Sequence, residues 1–163
     1  MQRLIGASCL AAAVMLAGRE KTRAVRAETE RVRRLRDGVA SLRTMVLFRR
    51  LRLAECFSAL PQDRLFSALS QSVAEKPGEK LTVLFSAALK TESSLPERAK
   101  QTFLSLAPAL ESADTASQEQ AFALAGEELN ALLTELEASS AVRCREIRTV
   151  CTCAGLALAI LLL

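Results

Sequence analysis

The residues of this chain best suited to chemistry are its five cysteines, Cys9, Cys56, Cys144, Cys151 and Cys153, and two groups of arginines. A thiol can serve as nucleophile, metal ligand or disulfide partner. The odd count, without a secreted spacing pattern, argues against a disulfide framework. Cys151 and Cys153 have no second ligand pair elsewhere, so no zinc or other metal site is expected. The thiols read as small apolar packing groups. Cys144, close to an apolar run, is a candidate for S-acylation. The chain has no histidine, which removes the commonest general base and metal ligand. No glycine-rich nucleotide loop and no metalloprotease motif is present. Glu127, Glu128, Glu135 and Glu137 fit the solvated face of a helix, and no carboxylate pair stands apart as an acid and base. The expectation is a protein that is not an enzyme, with no catalytic residue and no cofactor.

The arginines carry a different chemistry. Arg31, Arg33, Arg34 and Arg36 form one cluster, and Arg143, Arg145 and Arg148 a second. Guanidinium groups at this density contact anionic lipid or a partner surface, or set the orientation of a membrane segment. Residues 19–52 hold twelve Lys/Arg against four Asp/Glu, whereas residues 53–141 hold six against thirteen. The basic charge therefore borders the chain ends, and the acidic charge lies in the middle. A nucleic-acid surface interleaves basic residues with aromatics. The basic stretch has Phe48 alone, so no nucleic-acid partner is expected and membrane lipid is the expected counter-charge.

Those charges flank two apolar segments. Leu4 to Gly18 is a run of fifteen uncharged residues, and Val150 to Leu163 a run of fourteen. As helices each would be roughly 22 Å long, against a bilayer core of about 30 Å. Both are short for spanning, and neighbouring helices, local thinning and snorkelling arginines are the means of compensation. The first run can be read as a cleaved leader, a core helix or an anchor. The dense positive charge that follows it opposes export and favours the anchor, with its C-terminal side in the cytoplasm. Arg143, Arg145 and Arg148 place the start of the last run on the same side. The organisation expected is an N-terminal transmembrane segment at 1–18, a cytoplasmic helical domain at 19–148 with a basic juxtamembrane stretch at 19–52, and a C-terminal transmembrane segment at 149–163.

Between the anchors the apolar residues recur at helical spacing, and no strand pattern is sustained. The spacing predicts a helix over most of 19–60, with Leu35, Val39, Leu42 and Met45 or Val46 as its stripe and Gly38 a local weakness. Pro61 should open a second helix through Leu65, Phe66, Leu69 and Val73, closed by Glu75-Lys76-Pro77-Gly78. Leu81 to Lys90 forms a third, with Leu81, Leu84, Phe85, Ala88 and Leu89 inward. Ser94 to Glu97 suggests a capping box opening a fourth, which carries Phe103, Leu104, Leu106 and Leu110. After the loop Ser112–Gln118, a last helix with Phe122, Ala125, Leu129, Leu132 and Leu136 in its stripe runs on into the C-terminal apolar segment. The fold expected is all-α, an antiparallel helical bundle with long first and last helices.

The layout resembles the stage III sporulation protein AB family of endospore-forming bacteria over nearly the whole chain. Arg3-Leu4-Ile5-Gly6-Ala7 and the apolar run to Gly18 are similar to that family's start. Leu35-Arg36 through Leu42, Thr44 and Val46 resembles its Leu-Arg and Leu-x-Thr-x-Ile helix. Leu110-Glu111 with Asp114 to Gln118 resembles its Leu-Gly-x-x-Asp-x-x-x-Gln loop. Ile147-Arg148-Thr149-Val150-Cys151, followed by Gly155, resembles the entry to its apolar tail. Glu111 stands where the family has glycine, Ile147 where it has tyrosine and Cys151 where it has glycine. Arg43 and Met45 stand where acids are usual. The resemblance implies a helical domain like that of the inner-membrane platform protein of type II secretion and type IV pilus systems. It also implies a structural subunit of the channel complex between mother cell and forespore, set in the mother-cell membrane. Its implied partners are a cytoplasmic ATPase and other membrane subunits. Asp114, Gln118 and Gly155 are the positions carried over from the family's loop and tail.

Overall fold

The computed structural model describes residues 2–49, 51–60, 63–112 and 114–162, the side chains of 2–15, 17, 18, 155, 156 and 158–162 excepted. Those residues are helical with no strand: α1 (Gln2–Arg43), a π-helical turn (Thr44–Phe48), α2 (Leu53–Ala59), α3 (Arg64–Glu75), α4 (Leu81–Thr91), α5 (Glu97–Leu104), α6 (Leu106–Glu111) and α7 (Thr115–Leu162). They divide into two compact units, one of residues 31–133 and one of residues 1–30 with 134–163. Helices α1 and α7 each contribute to both.

The unit of residues 31–133 is a helical bundle with an apolar core. From α1 it takes Val32, Leu35, Val39 and Leu42, each at most 2% exposed, at the three- and four-residue spacing that puts them on one face. From α7 it takes Phe122, Ala125, Leu129, Leu132 and Leu133. Arg36 lies 3.4 Å from Asn130, and Arg43 3.5 Å from Glu119. The number rises along α1 as it falls along α7, so these two helices run antiparallel. Between them, α2 packs on the π turn and α3, α3 on α4, and α4 on α5 and α6. Four phenylalanines tie these helices together: Phe57 and Phe85 meet edge to face at 5.9 Å, as do Phe66 and Phe103 at 6.0 Å, while Phe85 and Phe103 stack at 4.8 Å. Such aromatic pairs contribute about 0.5–1.5 kcal/mol each beyond their area.

Three expectations are corrected. The first helix does not continue from residue 19 to 60. It widens into the π turn, where the Arg49 N–H donates to the Thr44 carbonyl at 3.3 Å, and the backbone is extended at Arg52 before α2 begins. The break lets Cys56, Phe57 and Leu60 turn inward, all of them buried. Ser94 is not a helix cap. Its hydroxyl donates to Glu92 at 3.3 Å, and the residue before α5 is Pro96, in extended backbone. The helix expected through Phe103 and Leu110 is two helices, parted at Ser105. Pro108 has no N–H for the Leu104 carbonyl and its ring crowds that carbonyl, so the chain is reset one turn earlier. The start expected at Pro61 lies outside the described residues. Helix α3 opens at Arg64, whose N–H donates to the Asp63 carboxylate at 2.8 Å.

Helix α4 follows the expected pattern. Leu81, Leu84, Phe85, Ala88 and Leu89 are all buried in α4. The turn before it uses Gly78 at φ 108°, where a side chain would be strained. Gly38, expected as a weakness, is a close approach instead: a Cβ there would lie 2.2 Å from the Phe66 ring. The last helix is continuous for 48 residues, roughly 72 Å at 1.5 Å per residue. Among the described residues no helix carries a stretch long and apolar enough to cross a membrane.

Candidate functional site

A strongly basic concavity lies in the unit of residues 1–30 and 134–163. It is a groove of about 880 Å³ between α1 and α7. Arg19, Arg23 and Arg26 line it from α1, and Arg145 and Arg148 from α7. The spacing explains the placement. Residues 19, 23 and 26 are four and three apart, and 145 and 148 three apart, so each set shares a helix face. No carboxylate lines the groove. Like charges at these helical spacings cost a few tenths of a kcal/mol per pair, and this unit carries three such pairs with no acid in the groove to offset them.

The rest of the lining is small or half-apolar: Thr22, Ser140, Ala141, Cys144, Ile147, Cys151 and Thr152. The Ser140 hydroxyl donates to the Glu137 carbonyl at 3.0 Å. The Thr152 hydroxyl is within reach of the carbonyls of Arg148 and Thr149, at 3.0 and 2.8 Å. These two hydroxyl hydrogens are directed at their own helix, and the five guanidinium groups are the charged donors of the groove. Among the described side chains, Thr29 is the buried residue of α1 in this unit, its hydroxyl 3.4 Å from the Val25 carbonyl. Leu16, Val142 and Val150 are exposed.

The arginine clusters singled out by sequence are distributed differently. Arg145 and Arg148 enter the groove, and Arg143 is exposed outside its lining. Arg31 and Arg34 line a second, more polar cavity of about 560 Å³ with Asp63, Arg64, Glu92 and Ser94. Arg33 is exposed on α1. Arg36 pairs with Asp37 at 2.6 Å. Sequence reasoning counted Arg19, Arg23 and Arg26 only as part of a charge block. Their i, i+4, i+7 spacing was the signal that they share a face.

The loop positions have a structural role in starting α7. The Asp114 carboxylate accepts from the Ser117 hydroxyl at 2.6 Å, and from the N–H groups of Ser117 and Ala116 at 3.1 and 3.2 Å. These bonds satisfy donors that the first helical turn leaves open. The Ser117 hydroxyl first, then the two N–H groups, hold the Asp114 carboxyl below its usual range. Gln118 donates from its amide to the Ser112 carbonyl at 2.7 Å. Glu111, at the end of α6, accepts from the Leu81 N–H and so caps α4. Gly155 lies in α7, and its surroundings are outside the described residues. Glu128, expected on a solvated face, is exposed but receives the buried Thr102 hydroxyl at 2.7 Å, tying α5 to α7.

Of the thiols, Cys56 is buried, with its Sγ 3.7 Å from the Leu51 carbonyl. Burial first, and then the charge of Glu55, push its pKa up, so it is a poor nucleophile. Cys144 and Cys151 are half-buried in the groove, and Cys153 is exposed. No group of three or more His, Cys, Asp or Glu suited to a metal ion occurs among the described residues.

The family model for stage III sporulation protein AB covers residues 3–163. No curated protein and no solved structure matches the chain.

Proposed function

The chain belongs to the stage III sporulation protein AB family, and from that premise we propose that it is a structural membrane subunit of a sporulation-specific, secretion-type channel complex. In this reading residues 1–18 and 149–163 are held in the mother-cell membrane. Residues 19–148 stand on the cytoplasmic side and hold a cytoplasmic ATPase and other membrane subunits in place. The subunit positions its partners and breaks no bonds itself.

One observation carries the reading. The two apolar runs lie on the two longest helices, α1 and α7, and each meets arginines on its inner flank: Arg19, Arg23 and Arg26 after the first, Arg145 and Arg148 before the second. Positive charge at those positions favours a cytoplasmic location for both flanks. Each run is too short to span with ease. The small residues Gly6, Ala7, Ser8 and Ala11 to Ala13 of the first permit close approach of another helix. A membrane complex supplies such helices. Type II and type IV platform systems supply the analogy for the ATPase, through the family resemblance rather than through any residue seen here.

The test is genetic and biochemical. Deletion is expected to arrest sporulation after engulfment, and a tagged chain is expected to co-purify with an ATPase and channel proteins from sporulating cells. Normal spore yield in the deletion strain would refute the reading.

A further inference from the structure

We propose that the groove between α1 and α7 is a binding site for the headgroup of an anionic phospholipid, its phosphate held by guanidinium groups from both helices. The proposal deepens the membrane reading and rests on it for the source of the ligand. The chemistry of the groove is that of a phosphate site. It has five arginines and no carboxylate in its lining. Arginine presents paired N–H donors that match phosphate oxygens, which a lysine ammonium does not. The hydroxyls of Ser140 and Thr152 are directed at backbone carbonyls, and the charged donors of the groove are its guanidiniums.

The position selects a lipid over a free anion. Arg19 directly follows the apolar run that ends at Gly18, and Cys151 and Thr152 of the lining already belong to the apolar run that starts at Val150. The groove thus has a charged part and, through Ala141, Ile147 and Cys151, an apolar one. An amphiphile with an anionic head and a hydrocarbon body covers both; inorganic phosphate covers the first alone. The volume of about 880 Å³ lies in the range of roughly 300–1,000 Å³ that takes whole small molecules. A nucleotide is disfavoured because the lining has no aromatic ring on which a base could stack.

The test uses the full chain purified in a non-ionic detergent. Binding of dioleoyl phosphatidylglycerol, dioleoyl phosphatidylcholine, inorganic phosphate and a short single-stranded oligonucleotide is measured by native mass spectrometry. The wild-type chain is expected to prefer phosphatidylglycerol over phosphatidylcholine by about tenfold or more, because the choline cation of the latter sets a like charge among the five arginines. The double variant Arg23→Gln/Arg145→Gln is expected to lose that preference. The charge-matched variant Arg49→Gln/Arg52→Gln, exposed residues outside the groove, is expected to keep it. Circular dichroism on each variant establishes that it is folded, and Arg26→Gln/Arg148→Gln serves as the second groove variant. Equal binding of the two lipids overturns the proposal. So does an unchanged preference in both groove variants, or equal affinity for phosphate or the oligonucleotide. Carbonate extraction of membranes, run alongside, separates the two readings. A chain that resists extraction without preferring the anionic lipid sinks the headgroup site alone. A chain that washes off, yet holds the lipid through the groove, sinks the anchored subunit alone.

Discussion

At the scale of single residues, the loop positions around Asp114 act by ordering helix ends. Asp114 starts α7, Gln118 reinforces that start, and Glu111 caps α4. Because hydrogen bonds to the charged form lower the Asp114 pKa, its contribution to stability is complete above the ordinary carboxylate value of about 3.9. It is lost as pH falls through the lower value of the folded state. The Ser117 amide resonance, followed by NMR in detergent, should titrate with a midpoint below about 3.9; a midpoint at or above that would contradict the cap. Gly38 offers a sharper test, because local and tertiary terms oppose each other. Alanine favours a helix over glycine by about 1 kcal/mol, but its Cβ would meet the Phe66 ring at 2.2 Å. Overpacking costs about 1–3 kcal/mol, so Gly38→Ala should lower the stability of the full chain by about 1 kcal/mol in denaturant titrations. A stabilised variant would show that the Phe66 contact is soft.

At the scale of elements, the legible parts were those with a strong period and clean punctuation. Helix α4 and the stripe of α7 follow the spacing of Leu81 to Leu89 and of Phe122 to Leu132, and Lys76-Pro77-Gly78 marks the turn. The break after Arg43 was not legible. No proline or glycine lies between Thr44 and Leu53, and the π turn arises because Phe57 and Leu60 gain a core only if the chain reverses. The parting of α5 from α6 did have a signal in Pro108, masked by the apolar spacing of Phe103, Leu106 and Leu110 on either side. The groove was legible by halves. Arg145 and Arg148 stood out, but their alignment with Arg19, Arg23 and Arg26 depends on two helices that meet across more than a hundred residues of intervening chain. Helix α7 also supplies a counterpart to Gly38. A Cβ at Gly126 meets nothing within 4 Å, so Gly126→Ala should stabilise by about 1 kcal/mol. Thermal melts of the two alanine variants should therefore shift in opposite directions, and a shared sign would contradict the packing described.

At the scale of the molecule, the two units differ in the described side chains they present. Residues 31–133 bury phenylalanines and leucines and have the makings of an independently stable core. The unit of residues 1–30 and 134–163 carries a groove lined by five arginines and no carboxylate, and exposes Leu16, Val142 and Val150. Water is a poor environment for such a unit. A bilayer surface would supply hydrocarbon for the apolar flank and phosphate for the groove, which supports the membrane placement proposed above, with residues 19–148 cytoplasmic. Extraction and protease accessibility of membranes from sporulating cells test that placement most directly, using a chain with a protease site inserted in the exposed turn at 76–79. The account predicts that the chain stays with the membrane through alkaline carbonate, and that the site is cut in inside-out vesicles but protected in sealed right-side-out ones. Release of the chain by carbonate, or cleavage from the outer face, would contradict it.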